Sequence, residues 1–361
     1  MPRQTAVSGK SGLTTGAKQS FQKARALKKA VAFFVGKLDS SHAHFYRVIS
    51  SLVANYGAVI CPVVIPYIEN DEVKSYIDLI TNKAYACDGL ELKELRMPVS
   101  NEADEMRSML LEAIATADDA LMEKYFAGEE FTPEEIIEGL KKGVTAGEIC
   151  PVFAGVQQTG AAVPLMVDTL LQILPSAADA VCRFEDGEEK AFDENGENAL
   201  FVFKTIADPF VGKLSYFRVL SGKIKNDTRL INNRTGAEER LSKIMWLKGG
   251  KQEDAGEIIA GDIGSVSKLG NVLTGDTLSV SGKLAAAAVD FPAPTISVAV
   301  YPKAKGDEEK IISGINKLME EDPTFTITNN TETKQTLING QGEQHIDVII
   351  SKLKSKYGVG A

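Results

Sequence analysis

Residues 31–35, Val-Ala-Phe-Phe-Val, form an unbroken apolar run that stops at Gly36-Lys37-Leu38-Asp39. Consecutive apolar side chains on a strand point to both faces of a sheet, so both faces must be covered, as in a parallel sheet between helices. The flanking pattern agrees. A basic helical pattern occupies 18–29, a second helix carries Phe45, Val48, Ile49, Leu52 and Val53 on one face, and a further apolar run covers 59–65. Alternating helix and strand signals of this kind specify an α/β sheet. The alternation resumes with a strand at 148–154 and a helix at 162–174, stopped by Pro175. Between them, 101–142 is acidic and helical, with Met106, Leu110 and Ile114, then Leu121 and Tyr125, at helical spacing. Thr132-Pro133-Glu134-Glu135 reads as a capped helix start with proline at the first helical position.

Beyond 182 the pattern changes. Residues 183–198 are charged and glycine-containing and read as a linker or exposed hairpin. Short strand candidates at 200–206, 212–220, 229–232, 240–246, 257–267 and 277–280, separated by Gly, Asp and Asn turns, predict a small barrel. Four alanines at 285–288 lead to Phe291-Pro292-Ala293-Pro294, a domain boundary. The remainder reads β-α-β-β-α, the ferredoxin-like order short of its final strand. Its strands are 295–301, 325–328 and 335–338. Asp307 caps a helix carrying Ile311, Ile315, Leu318 and Met319, and Ile346, Ile349, Ile350 and Leu353 line the second.

A chain of 361 residues that is 44% hydrophobic can bury several cores. No apolar stretch approaches the roughly 20 residues of a membrane span, and the start has no apolar signal region. No membrane or DNA partner is expected. Cys61, Cys87, Cys150 and Cys182 lack paired metal or redox spacing and read as reduced thiols of a cytoplasmic protein. The net charge of -9 conceals an asymmetry: residues 1–60 hold nine Lys/Arg against one acid, and 61–150 hold eight against twenty. Such runs read first as solvated helix faces, since they report solubility before partners; the sharper reading is a basic face for RNA and an acidic face for a basic protein, and charge alone does not choose.

Several ordered motifs resemble bacterial elongation factor G, a translational GTPase, and the related tetracycline-resistance ribosomal protection proteins. Gly36-Lys37-Leu38-Asp39 through Phe45-Tyr46 resembles its N-K-M-D-R-x-x-A-D-F-Y, and Pro151-Val152-Phe153-Ala154-Gly155 its P-V-F-C-G-S-A. Ala207-Asp208-Pro209-Phe210-Val211-Gly212-Lys213-Leu214 resembles the signature of its second domain. Glu320-Glu321-Asp322-Pro323-Thr324-Phe325 and Gly340-Gln341-Gly342-Glu343-Gln344-His345 resemble those of its third. The resemblance implies the C-terminal half of a P-loop GTPase domain at 1–61 and 144–182, an acidic insert subdomain at 62–143, and a linker or hairpin at 183–198. It then implies a translation-factor β-barrel at 199–284 and a ferredoxin-like domain at 291–361.

It also implies a guanine-reading corner. Asp39 would accept from guanine N1 and N2, the Lys37 stem would lie over the base, and Gly36 stands where the family has an asparagine. Gly155 is kept, while Val156 and Gln157 replace serine and alanine at the second contact. The complete family uses GTP or GDP with magnesium, but the phosphate loop, switch regions and D-T-P-G-H motif have no counterpart here. Ser8-Gly9-Lys10-Ser11 is no Walker A motif, because Gln4 stands where the pattern needs glycine. The sequence therefore reads as a family member lacking parts at both ends, with no catalytic residue, metal or cofactor of its own and no GTP hydrolysis unaided. The expected partners are ribosomal RNA and ribosomal proteins, with Lys204, Lys213, Arg218, Lys223 and Lys225 as candidate phosphate contacts. Phe201, Phe203, Tyr216 and Phe217 are expected in the barrel core. An upstream fragment or a second copy is expected over the open edge beside residues 5–8. The alternative function is a non-catalytic ribosome-binding or scaffold protein with a degenerate guanine site.

Overall fold

The computed structural model describes residues 3–208, 212–303 and 306–360, in two compact units, Met1–Ser176 and Ala177–Ala361. In the first, β1 (Arg3–Ser8), β2 (Val31–Gly36), β3 (Ile60–Glu69), β4 (Glu72–Asp78), β5 (Lys83–Asp88), β6 (Glu91–Leu95) and β7 (Cys150–Ala154) form one sheet. Its order is β1-β2-β7-β3-β4-β5-β6. The first four in that order run parallel, and the rest is an antiparallel meander. Every residue of β2 is buried, as its apolar run requires. The helices are α1 (Thr15–Ala26), α2 (Phe45–Tyr56), α3 (Asn101–Thr116), α4 (Asp119–Phe126), α5 (Pro133–Ala146) and α6 (Val163–Ile173). Phe45, Val48, Ile49 and Leu52 are the buried face of α2. The capping box at Thr132 and Glu135 forms, with Pro133 in the first turn of α5.

Residues 62–143, which the sequence presents as an insert subdomain, do not stand apart from the sheet. They continue β3 into the meander, α3 packs on β3, and Leu110, Ile114 and Leu140 share one hydrophobic core with Phe33 and Phe153. The meander escapes a periodicity reading because β6 is mostly exposed and charged.

The second unit begins with the hairpin of β8 (Val181–Arg183) and β9 (Glu189–Ala191). An eight-stranded sheet follows, in the order β14-β13-β19-β10-β11-β18-β15-β16. Its strands are β10 (Ala199–Asp208), β11 (Gly212–Ser221), β13 (Thr228–Asn232), β14 (Glu238–Leu241), β15 (Ile244–Lys248), β16 (Lys251–Asp254), β18 (Ile263–Ser267) and β19 (Thr277–Ser279). A separate pair joins β12 (Lys223–Lys225) to β17 (Glu257–Ile259). The single strand expected at 240–246 is instead β14 and β15, adjacent in sequence and far apart in sheet order. Two intervening residues can join them only if the sheet rolls up, and Leu241 and Ile244 accordingly share one core with Leu200, Phe217 and Val266. The strand expected at 257–267 breaks at Gly261, whose φ of +90° suits glycine alone.

The C-terminal module contains β20 (Ile296–Val300), α7 (Glu308–Glu321), β21 (Thr326–Asn330), β22 (Gln335–Gly340) and α8 (Glu343–Tyr357), with sheet order β20-β22-β21. Asp307 occupies the N-cap position of α7 without a side-chain cap bond; its carboxylate takes the Lys310 ammonium at 2.8 Å instead. Glu321, at the end of α7, reaches the barrel. Its carboxylate accepts from the Ala207 N–H at 2.7 Å and from Lys356 of α8, while the Lys356 ammonium also donates to the Ala207 carbonyl.

Candidate functional site

The carboxyl ends of β1, β2 and β7 lie side by side, the edge at which open α/β sheets place ligands. Gly36 closes β2, and Lys37 follows in a left-handed conformation, φ +59°, with its side chain exposed. The Lys37 N–H donates to Gln157 Oε1 at 3.1 Å. A Cβ on residue 36 would lie 2.6 Å from that oxygen and 3.1 Å from the Phe34 ring. The Gln157 carboxamide thus fills the space beside residue 36 that an asparagine would need. Gly155 admits no side chain either, since a Cβ would meet Phe34 at 2.8 Å and the Ala161 carbonyl at 2.9 Å. The Val156 N–H is spent on the Ala161 carbonyl at 3.0 Å, and its side chain is buried.

Asp39 is exposed and lines a cleft of about 420 Å³ with Asp71, Glu72, Lys74, Tyr76 and Cys87. Lys74 pairs with Glu72, so the cleft keeps a negative balance and repels phosphate. Burial pushes the Tyr76 hydroxyl well above its ordinary pKa, aided by Cys87 and Asp39, so it stays a neutral donor. Burial likewise raises the Cys87 thiol, opposed by a hydrogen bond with the Ala162 backbone. Asp39 and Val156 line this cleft, whereas Gly36 and Gln157 do not. The residues present do not fit a guanine nucleotide in the family's manner. Among the described residues, no three His, Cys, Asp or Glu gather to hold a metal.

The barrel cations are mostly engaged. Lys213 pairs with Glu320 at 2.8 Å, Lys223 with Glu194 at 3.1 Å and Lys225 with Glu257 at 3.1 Å. Arg218 donates to the Gly261 carbonyl and lies 4.2 Å from the Phe192 ring centre; burial lowers its pKa. Lys204 lies 5.9 Å over Tyr216. Pro209, Phe210 and Val211 of the second-domain signature lie outside the described residues.

The expectation for the aromatics needs correction. Phe217 is core and Phe201 packs partly buried, but Phe203 is 39% exposed and pairs with the half-buried Tyr216 at 6.4 Å. The cause is a bulge: Val202 faces Phe217, Lys204 faces Tyr216, and Phe203 between them has no partner, so two successive side chains point outward. Sequence reading also missed the role of the Gln157 side chain. Its signal was a lost side chain at 36 accompanied by a gained carboxamide at 157.

An α/β sheet unit, a β-barrel and a small α+β module follow one another along the chain. Residues 197–281 match the model for elongation factor G domain 2, and residues 291–361 that for elongation factor G domain III. A crystal structure from Thermus thermophilus is similar over 98% of this chain and 52% of its own, at a TM-score of 0.82 and 27% identity. The chain is an elongation factor G-like protein. It spans about half the length of that Thermus structure.

Proposed function

We propose that this protein is a ribosome-binding translation factor whose guanine corner has been rebuilt and does not read GTP or GDP as elongation factor G does. The observation that carries the reading is the Gln157 carboxamide lodged beside Gly36 and bonded to the Lys37 N–H. A base contact needs a free polar group, and here the Gln157 oxygen is already taken by the Lys37 N–H. Ribosome binding is supported by the two elongation factor G domain matches and by the Phe203–Tyr216 pair with Lys204 alongside, a surface suited to RNA. The test is co-sedimentation of the full chain with ribosomes at graded salt, with calorimetry against GDP in parallel. Salt-sensitive ribosome binding without micromolar GDP binding supports the reading; no ribosome binding, or tight GDP binding, overturns it.

A second reading rests on Asp39, whose carboxylate has no hydrogen-bond or ion-pair partner among the described residues and still faces the cleft. In that reading a GTP-hydrolysing factor assembles when a magnesium- and phosphate-binding segment is supplied. GDP affinity that falls on Asp39→Ala would favour it.

A further inference from the structure

Beside the acidic cleft, on the same edge of the sheet, lies a cavity of opposite character. It measures about 480 Å³ and is lined by Lys10, Ser11, His42, His44, Arg47 and Ser51, with no Asp or Glu in its wall. Every lining residue belongs to the first unit. Lys10, His42, His44 and Arg47 make no ion pair and no side-chain hydrogen bond among the described residues. This contrasts with Lys213, Lys223 and Lys225 of the barrel, each of which pairs with a glutamate. The surrounding segment is strongly basic, nine Lys/Arg against one acid over residues 1–60.

The backbone builds the cavity. Gly9 is clamped between the two loops that form it: its N–H donates to the Gly36 carbonyl at 2.8 Å and its carbonyl accepts from the His44 N–H at 3.0 Å. A Cβ there would stand 2.8 Å from Leu38 and 3.3 Å from both Ala43 and the Gly36 carbonyl. This close approach brings Lys10 and Ser11 against the start of α2. His42 is held at φ +64°, a conformation an L-residue adopts at a cost of about 1 kcal/mol or more. The first turn of α2 also opens beside the cavity, and His44 at its N-cap provides no side-chain acceptor for the amides.

We propose that this cavity is a phosphoryl-anion site, taking a phosphate or diphosphate group between Lys10 and Arg47 with the amides of the α2 first turn beneath it. Its chemistry complements the neighbouring cleft, which carries carboxylates and rejects phosphate. The site is separate from the Gly36–Gln157 corner and does not depend on ribosome binding.

The test is titration of the full chain with inorganic pyrophosphate, followed by calorimetry and backbone amide NMR, with adenosine diphosphate as a second arm. One saturable site is expected, with shifts at residues 45–47, and binding about tenfold weaker in Arg47→Ala and in Lys10→Ala. These exposed residues sit on different segments, and melting curves matching the parent confirm that both variants fold. Equal binding of adenosine diphosphate, lost in the same variants, would show that the group also enters when carried on a nucleotide; binding of pyrophosphate alone would assign the site to the free anion. Either result supports the site. No saturable pyrophosphate binding, or binding unchanged by both substitutions, overturns it.

Discussion

Gln157 Oε1 accepts the Lys37 backbone N–H at 3.1 Å, across 120 residues of chain, and does so only because residue 36 has no side chain. Gly36→Asn therefore drives the carboxamide out and forfeits that bond, at a cost of about 1 kcal/mol. In a Gln157→Ala background the same change should cost less, because only the Phe34 ring, 3.1 Å from the added Cβ, still crowds it. Urea denaturation of the two single variants and the double variant measures the coupling; strictly additive losses would refute the packing relationship.

Asp276 anchors the barrel. Its side chain is 5% exposed and accepts from Arg234 twice, at 2.7 and 2.9 Å, and from Asn232 and the Leu273 N–H, each at 2.8 Å. Burial alone would raise its pKa, but hydrogen bonds from Arg234, Leu273 and Asn232 outweigh burial and hold it below the ordinary carboxylate value. The folded pKa lies below the unfolded value of about 3.9, so the stabilisation is complete above that pH and is lost as pH falls through the folded value. Trp246, the sole tryptophan, sits on β15 and reports the barrel. Its fluorescence should show acid unfolding of the parent below about pH 4, and Asp276→Asn should flatten that dependence while costing about 3 kcal/mol at neutral pH.

Glu321, 8% exposed, joins α7 to β10. Glu321→Ala leaves the Ala207 N–H and the Lys356 ammonium without their acceptor, and a loss of about 2 kcal/mol is expected. Hydrogen exchange at the Ala207 amide should accelerate sharply. Lys352→Ala removes a contact of only 3.9 Å to the same carboxylate and should leave that amide protected.

Phe203→Ala and Phe217→Ala separate surface from core. Phe217 is fully buried, and its truncation should cost about 3–5 kcal/mol. Phe203 stands on the bulge, and its loss should cost below about 1 kcal/mol. If the exposed ring stacks on RNA, Phe203→Ala lowers ribosome co-sedimentation at unchanged stability; retention at the parental level would remove that surface from the ribosome contact.

The elements legible in the sequence are those whose residues state their own burial. β2 is apolar at five successive positions, and α2 repeats its apolar residues every three or four, so each was readable without its partners. β16, Lys-Gln-Glu-Asp, is fully exposed and takes its strand form from pairing with β15, so nothing in its composition marks it as a strand. The bulge at Phe203 broke the two-residue alternation that placed its ring inside. At the nucleotide corner, Gly36, Lys37 and Asp39 were visible as a motif, but the Gln157 side chain that reorganises them comes from a distant loop. All five barrel cations were chosen by charge alone, and the glutamate partners of Lys213, Lys223 and Lys225 arrive only through folding.

On the barrel side, the joint between β10 and α7 uses only the amide and carbonyl of residue 207. Mutational drift at that position leaves the fastening intact, since every amino acid but proline brings the same two groups. The tolerance is one-sided: on the helical side the attachment needs two particular side chains, the carboxylate of Glu321 and the ammonium of Lys356. Sequences that keep this joint should therefore be free to vary at 207 and bound to an acid at 321.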